Sequence, residues 1–159
     1  MPIELAPVDL NALLKEIVEE AQNHAKERKV LLKVSLPATP LPTANLDRKY
    51  TQLAIDNLLS NAVKYTALKA EGGEVEFTVE IKDQTFLCKV KDTGIGIPKN
   101  DQGNIFKELY RASNAGKEGN GLGLHVSMGA IKAQGGDVRF ESEEGKGTTF
   151  FVELPLKLA

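Results

Sequence analysis

The stretch EVEFTVEIKDQTFLCKVKD, residues 74–92, constrains the fold of this 159-residue chain more than any other segment. Apolar and polar residues alternate on both sides of KDQT, and this period of two predicts an antiparallel hairpin with one buried face. In its second strand, Asp92 lies in register with Cys88 and Val90. A carboxylate on a buried face is costly unless donors meet it, so either protein groups or a ligand must satisfy Asp92.

The whole chain reads as helix, strand, helix, hairpin, loop, helix, hairpin. Asp9 and Asp47 are predicted N-caps of the first two helices, because apolar residues recur at helical spacing after each of them. The third helix is predicted over GLGLHVSMGAIKAQ, and the last hairpin over DVRFES and TTFFVELPL. This order predicts an α+β fold, a two-layer α/β sandwich in which about three helices cover one face of a mixed, mostly antiparallel sheet.

Composition indicates one domain and excludes some classes of partner. A hydrophobic fraction of 42% is enough for a core, and the formal net charge of -2, with both signs interspersed, gives no electrostatic case for nucleic acid or an anionic membrane. No run of roughly 18 apolar residues is present to span a bilayer. The single cysteine, Cys88, cannot form an internal disulfide, which fits a reducing compartment. We expect one soluble domain over residues 1–159, without nucleic-acid binding or membrane contact of its own.

The second predicted helix has a polar side formed by Asn57, Asn61 and Lys64, each about one turn after the one before. A solvated surface is the ordinary explanation of such a side. However, asparagine is a mediocre helix former, and Glu or Lys would serve a solvated surface better. An amide oxygen suits Mg²⁺, which takes its other ligands from water and phosphates, and the ammonium can contact a phosphate. Metal and triphosphate would explain all three residues.

The motif GNGLGL, residues 119–124, places three alternating glycines before the third helix. Glycines let a ligand approach the backbone, and a helix N-terminus attracts anions through free N–H groups. A flexible turn before a helix is the alternative. A long polar segment, about residues 98–120, comes before the motif and is predicted to be mobile. Because no strand leads directly into the glycines, the motif is not a dinucleotide-binding fingerprint.

The segment DTGIGIP follows the first hairpin and gives Asp92 a possible ligand. A carboxylate accepts from the exocyclic amine of adenine, whereas guanine would present an oxygen there, at a cost of roughly 1–3 kcal/mol or more. Gly94 and Gly96 would let the chain turn closely around the base. A tight turn without a ligand is the alternative explanation of these glycines.

In combination, NLLSNAVKYT, DTGIGIP, IFKELYR, GNGLGL and GKGTTFFVELP closely resemble the catalytic ATP-binding domain of bacterial sensor histidine kinases, within the superfamily of gyrase, Hsp90 and MutL. The resemblance implies the Bergerat ATP-binding fold, with ATP and Mg²⁺ as ligands and a nucleotide lid at about 98–120. It implies Asn61 as the Mg²⁺ ligand, and Asn57, Lys64 and Arg111 as catalytic residues. The nucleotide-binding positions that it implies are Asn57, Asn61, Lys64, Tyr65, Asp92, Gly94, Gly96, Ile97, Tyr110, Arg111, Gly119, Gly121, Leu122, Gly123, Leu124 and Thr148 or Thr149.

The resemblance further implies transfer of the γ-phosphoryl group to a histidine on a separate dimerisation and phosphoacceptor domain, and then to a response regulator. The fragment is expected to be cytoplasmic and monomeric in isolation, whether or not its parent protein is anchored in a membrane. No phosphoacceptor stretch is recognisable, so the dimerisation and acceptor helices are expected to be absent from the chain. His24 is expected at the surface, and His125 is expected to be structural or solvated.

Three departures from the family pattern are Asn120, Lys107 and Leu109, and none of them removes a core ligand. Rival functions are a hydrolytic ATPase, a nucleotide-binding regulatory module, and a serine kinase that modifies another protein. The resemblance places Asn57 where the hydrolytic relatives have a glutamate that acts on water, and an amide cannot take a proton at neutral pH. Hydrolysis is therefore expected to be slow, with Asp56 as a weak alternative base.

Overall fold

The computed structural model describes residues 2–107 and 123–158 and confirms the predicted two-layer α+β fold. Within these ranges the helices are Leu10–Glu27 (α1), Arg48–Ala67 (α2) and Gly123–Ala133 (α3). The strands are Ala6–Asp9 (β1), Leu31–Ser35 (β2), Thr43–Leu46 (β3), Glu74–Lys82 (β4), Thr85–Asp92 (β5), Asp137–Glu143 (β6), Gly147–Pro155 (β7) and Lys157–Leu158 (β8). None of the helices in the described ranges is long and apolar enough to cross a membrane.

Five strands form the main sheet in the order β2, β4, β5, β7, β6. Only β2 and β4 run parallel, and the other neighbours are antiparallel, as the mixed-sheet prediction required. The first hairpin turns at Asp83 and Gln84, whose φ angles of 51° and 60° are those of a two-residue turn that follows the twist of the strands. In this register Asp92 pairs with Val75 on β4 and with Thr148 on β7.

The core lies between the helices and one face of the main sheet. Alternate residues of β4, β5 and β7 are buried, as the period of two predicted. Helix α2 packs against both other helices and against β4 and β5, so it is the central element of the helical layer. Its N-cap is Asp47, whose side chain accepts from the Tyr50 amide, and α1 is capped in the same way by Asp9. Both predicted caps are therefore confirmed.

A second sheet of three strands, in the order β1, β3, β8, was not predicted from the sequence. Its strands are only four, four and two residues long, too short for a recognisable alternation. They form because segments near the start, in the first third and near the end of the described chain come together. Such pairing depends on remote partners, which no local pattern specifies.

Candidate functional site

Asp92 ends β5 on the buried face of the sheet, and only 4% of its surface is exposed. Its Oδ1 accepts from the backbone N–H groups of Gly94 at 2.9 Å and of Thr148 at 3.3 Å. Burial raises the pKa of Asp92 to about 6, although both N–H groups and the charge of Lys69 act in the opposite direction. None of the described residues donates to Oδ2. Protein groups thus satisfy one oxygen and leave the other to a further donor.

The turn after Asp92 is held tightly between α2 and the β6–β7 turn. A Cβ on Gly94 would lie 2.7 Å from the carbonyl oxygen of Tyr65, and the Ile95 amide donates to that same oxygen at 3.3 Å. Gly96 has a φ of +69°, and a Cβ there would lie 2.1 Å from the Glu143 carbonyl oxygen. Both glycines were predicted to make room for a base. That role stays a prediction, and the close approaches that the structure shows at both glycines are to protein backbone.

Thr148 lies beside Asp92, and Thr149 lies on the opposite face of the sheet. The Thr148 hydroxyl is buried and stands 2.7 Å from Ser142 Oγ, which also accepts from the Ile97 amide at 2.8 Å. Of the two predicted threonines, therefore, only Thr148 is near the carboxylate, because neighbouring strand residues point to opposite faces. Ile97 is buried directly after the glycine turn, and its predicted contact with the nucleotide stays a prediction.

The polar side of α2 is half-buried and contains Asn57, Asn61, Lys64 and Tyr65. Asn57 Nδ2 donates to the carbonyl of Gly123, the first residue of α3, at 3.3 Å. The Asn61 side chain makes no hydrogen bond to the part of the chain that the structure describes. Lys64 Nζ lies 5.5 Å from the centre of the Tyr65 ring. Asn57 thus joins two helices, whereas the amide of Asn61 remains available.

The start of α3 is the described part of the second glycine motif. Gly123 is half-buried and packs against Asn57: a Cβ on Gly123 would lie 3.7 Å from Asn57 Cγ. Leu124 is buried. Five predicted nucleotide-binding residues lie outside the described ranges, and their assignment stays a prediction: Tyr110, Arg111, Gly119, Gly121 and Leu122.

The beginning of the predicted mobile segment is packed on the core. Ile105 is buried, and the Phe106 ring lies edge-on to Phe140 at 5.7 Å and to Phe150 at 6.2 Å. A short 3₁₀ helix, Lys99–Asp101, precedes them. Residues 105 and 106 thus contact the core, and the mobility of the segment at about 98–120 stays a prediction. The polar composition of residues 98–107 gave no sign that Phe106 contacts Phe140 and Phe150, which are far away in the sequence.

Two further predictions concern residues in a groove between α2 and α1. Asp56 lines a groove of about 300 Å³ against α1, together with Glu20 and His24. Burial and the charges of Glu20 and Glu16 raise the pKa of Asp56 to about 7. His24 was expected at the surface, but it is half-buried, and its Nε2 atom has no hydrogen-bond partner among the described residues.

The other histidine fits its prediction. His125 is exposed, and its Nδ1 lies 3.2 Å from the Phe106 carbonyl oxygen, a structural contact.

Comparison with known proteins identifies the family to which this site belongs. Residues 46–158 match the family described as "Histidine kinase-, DNA gyrase B-, and HSP90-like ATPase". The chain belongs to this family. The match begins at the end of β3 and includes every described residue of the site.

Sensor proteins of bacteria are similar to this histidine kinase-like ATPase in sequence. "Sensor histidine kinase WalK" of Bacillus subtilis (strain 168) is 40% identical over 137 residues, which are 83% of this chain and 22% of WalK. "Alginate biosynthesis sensor protein KinB" of Pseudomonas aeruginosa is 34% identical over 154 residues, which are 97% of this chain and 25% of KinB. The chain thus spans no more than 25% of the length of these two relatives.

Solved structures confirm the fold. Full-length ShkA in complex with AMPPNP superposes with a TM-score of 0.82 at 30% identity, covering 100% of this chain and 32% of ShkA. The mycobacterial sensor histidine kinase MprB gives a TM-score of 0.78 at 22% identity, over 97% of this chain and 100% of the MprB chain.

Sequence reasoning missed three residues that frame Asp92 in this ATPase fold. Lys69 and Ser142 bond to groups far away in the chain, so no local pattern reveals them. Gly147 has a φ of +135°, and a Cβ on it would lie 2.1 Å from the Asp92 carbonyl oxygen. Gly147 lies within GKGTTFFVELP, and the two closely spaced glycines of that motif could have indicated a close backbone contact there.

Proposed function

We propose that this histidine kinase-type ATPase domain binds Mg-ATP and transfers the γ-phosphoryl group to a histidine of a separate dimerisation and phosphoacceptor domain in two-component signalling. The observation that carries the proposal is the state of Asp92, a buried carboxylate with one oxygen met by two backbone amides and the other without a donor among the described residues. This arrangement supports recognition of a purine that brings its own amine.

Adenine fits this carboxylate better than guanine does. The exocyclic amine of adenine would donate to Asp92 Oδ2, whereas the carbonyl oxygen of guanine would face an acceptor. The hydroxyl of Thr148, next to Asp92 on β7, supplies a second polar group on the same face. The two backbone N–H donors hold the carboxylate in place, so little further ordering is needed when a nucleotide binds.

The polar side of α2 fits a magnesium ion that takes most of its ligands from phosphates and water. Asn61 offers an amide that the described part of the chain does not engage. We therefore propose Asn61 as the protein ligand. When bound, the ion would neutralise charge on the phosphate oxygens.

The other residues of this face would position and stabilise the triphosphate. Lys64 supplies an ammonium group on the same side of α2 as Asn61. Through its bond to Gly123, Asn57 fixes the beginning of α3, where free N–H groups favour phosphate. Arg111 is proposed to add a positive charge during transfer. A neutral imidazole of the acceptor is itself nucleophilic, so this domain need not supply a base.

Hydrolysis is the less favoured reaction at this site. Asn57 is an amide whose nitrogen is already engaged with Gly123, so it cannot activate water. Asp56, the other possible base, lines the groove against α1. The partner that the proposal requires is the acceptor domain, from which a phosphoryl group would pass to a response regulator. By itself, the chain is proposed to be a monomer.

A transfer assay tests the proposal. The domain is mixed with γ-labelled ATP, Mg²⁺ and a histidine-bearing dimerisation and phosphoacceptor domain, and nucleotide affinity is measured separately by calorimetry. We expect label on the acceptor that is lost in acid and retained in base, as for a phosphoramidate, with little phosphate release. Acid-stable label would indicate a serine kinase, and rapid phosphate release without labelling would indicate a hydrolase. Either result would contradict the proposal.

A further inference from the structure

Lys69 lies in the turn after α2 and reaches two loops on either side of Asp92. Its Nζ donates to the carbonyl oxygen of Thr93 at 3.2 Å and to that of Gly145 at 2.9 Å. The side chain of Lys69 is 20% exposed, the bond to Thr93 is partly buried, and the bond to Gly145 lies at the surface. Glu71 is 3.8 Å away but 71% exposed, and a pair of this kind contributes little. The ammonium is therefore committed mainly to the two carbonyls.

These two carbonyls belong to the backbone that holds the carboxylate. Thr93 follows Asp92 directly and leads into the glycine turn, whereas Gly145 lies in the β6–β7 turn. The Gly145 amide in turn donates to the Ile95 carbonyl at 2.7 Å. One ammonium group thus ties together the end of α2, the end of β5 and the β6–β7 turn. Both bonds therefore connect Lys69 to the turns next to Asp92.

Lys69 also supplies the positive charge that acts on Asp92. The strand neighbours of Asp92, Val75 on β4 and Thr148 on β7, carry no charge. In the β6–β7 turn, Lys146 pairs with Glu143 at 3.3 Å, and both side chains are mostly exposed. Glu74, at the start of β4, pairs with Lys33 at 3.1 Å. The other charged residues near these elements are Glu71 beside Lys69, Lys91 on the far face of β5 and Glu144 in the β6–β7 turn.

We propose that Lys69 is a positioning residue for adenine recognition, which holds the Thr93 and Gly145 carbonyls so that Asp92 stays ionised and correctly aimed at the exocyclic amine. The inference rests on the proposed nucleotide-binding function. It adds a residue that would act on the base through Asp92 and the backbone beside it.

The expected pH dependence of ATP affinity follows from the direction in which Lys69 shifts the pKa of Asp92. Burial raises the pKa of Asp92 to about 6, and Lys69 lowers it by stabilising the ionised form. The ionised carboxylate accepts a stronger hydrogen bond from the amine than the protonated acid does, so affinity for ATP falls as the pH drops through this range. Without the ammonium the pKa of Asp92 rises further, and the loss of affinity begins at a higher pH.

The test measures ATP affinity by calorimetry from pH 5.5 to 8.5 for the wild type, Lys69→Met and Lys69→Arg. Lys82→Met, an exposed lysine at the far end of the first hairpin, is the matched control. The ratio of variant to wild-type affinity cancels the titration of the nucleotide itself. We expect Lys69→Met to lose affinity at every pH, by about tenfold at pH 6 and by less at pH 8.5. Lys69→Arg should recover most of the affinity, and Lys82→Met should match the wild type.

Each other outcome has a distinct meaning. A loss by the same factor at every pH, or no loss, would overturn the role of Lys69 while wild-type binding leaves the proposed function intact. Failure of the wild type to bind ATP at any pH would instead contradict the proposed function. If Lys69→Met does not fold, as judged by circular dichroism, the Lys69→Arg profile decides: a charge-preserving variant must keep the wild-type pH midpoint.

Discussion

The α-carbon of Gly94 approaches the last turn of α2 so closely that a side chain on it would lie 2.7 Å from the carbonyl oxygen of Tyr65. This contact joins the turn after Asp92 to the helix that carries Asn57 and Asn61. The two proposed ends of the nucleotide site, for purine and for metal, therefore lie on segments that are in contact at this glycine. A methyl group at this position must push them apart.

We predict that Gly94→Ala lowers the free energy of unfolding by about 1–3 kcal/mol, the usual cost of overpacking against rigid backbone. ATP affinity should fall in parallel, because both halves of the site move. Chemical denaturation and calorimetry measure these effects. Gly103→Ala is the control, since nothing lies within 4 Å of a Cβ there, and it should change stability by less than about 0.5 kcal/mol. Equal effects of both substitutions would contradict the packing argument.

Asp92→Ala is expected to reduce ATP affinity by roughly 100-fold or more, because a charged hydrogen bond to the adenine amine is lost. The fold should persist, as circular dichroism can verify, since the removed carboxylate is itself costly to bury. Asp137→Ala, at an exposed aspartate that begins β6, should bind ATP like the wild type. Unchanged affinity of the Asp92 variant would show that the purine is not recognised here.

Asn61→Ala should remove most of the Mg²⁺ dependence of ATP affinity, because the proposed protein ligand to the metal is absent. Titrations of ATP with Mg²⁺ and with EDTA measure this dependence. Asn23→Ala, at an exposed asparagine in α1, provides a helical control that should keep the wild-type difference. A wild-type response to Mg²⁺ in the Asn61 variant would refute the assignment of the metal.

Asp56→Asn is predicted to stabilise the protein, and more so at high pH. The folded-state pKa of about 7 is above the ordinary value of 3.8, so the folded protein binds more protons between these values and its stability falls as the pH rises through them. Above pH 7 Asp56 is ionised in the folded protein, so the full free-energy cost of burying its charge is present. Because the side chain is partly exposed, we expect a gain of only about 1 kcal/mol at pH 8.

Urea denaturation at pH 5 and pH 8 measures this gain, which should be smaller at pH 5. Asp137→Asn, at an exposed site, is the control and should gain no stability at pH 8. A gain that is equal at both pH values would exclude the electrostatic explanation for Asp56.

The sequence by itself determined the elements whose signals are local. The alternation in residues 74–92 specified the first hairpin and placed Asp92 on the buried face, and Asp9 and Asp47 marked the starts of two helices. The polar side of α2 was also recognisable from its spacing. These features depend on residues a few positions apart, where one periodicity or one cap fixes the conformation.

Only the tertiary structure decided the features that depend on remote contacts. It paired β1, β3 and β8 into a second sheet, packed Phe106 on Phe140, and selected Thr148 over Thr149 as the neighbour of Asp92. It also brought Lys69 to Gly145, 76 residues away. The physical reason is common to all four. Each contact is stabilised by residues that are far apart in the sequence and meet only in the folded chain, so no local stretch of sequence specifies it.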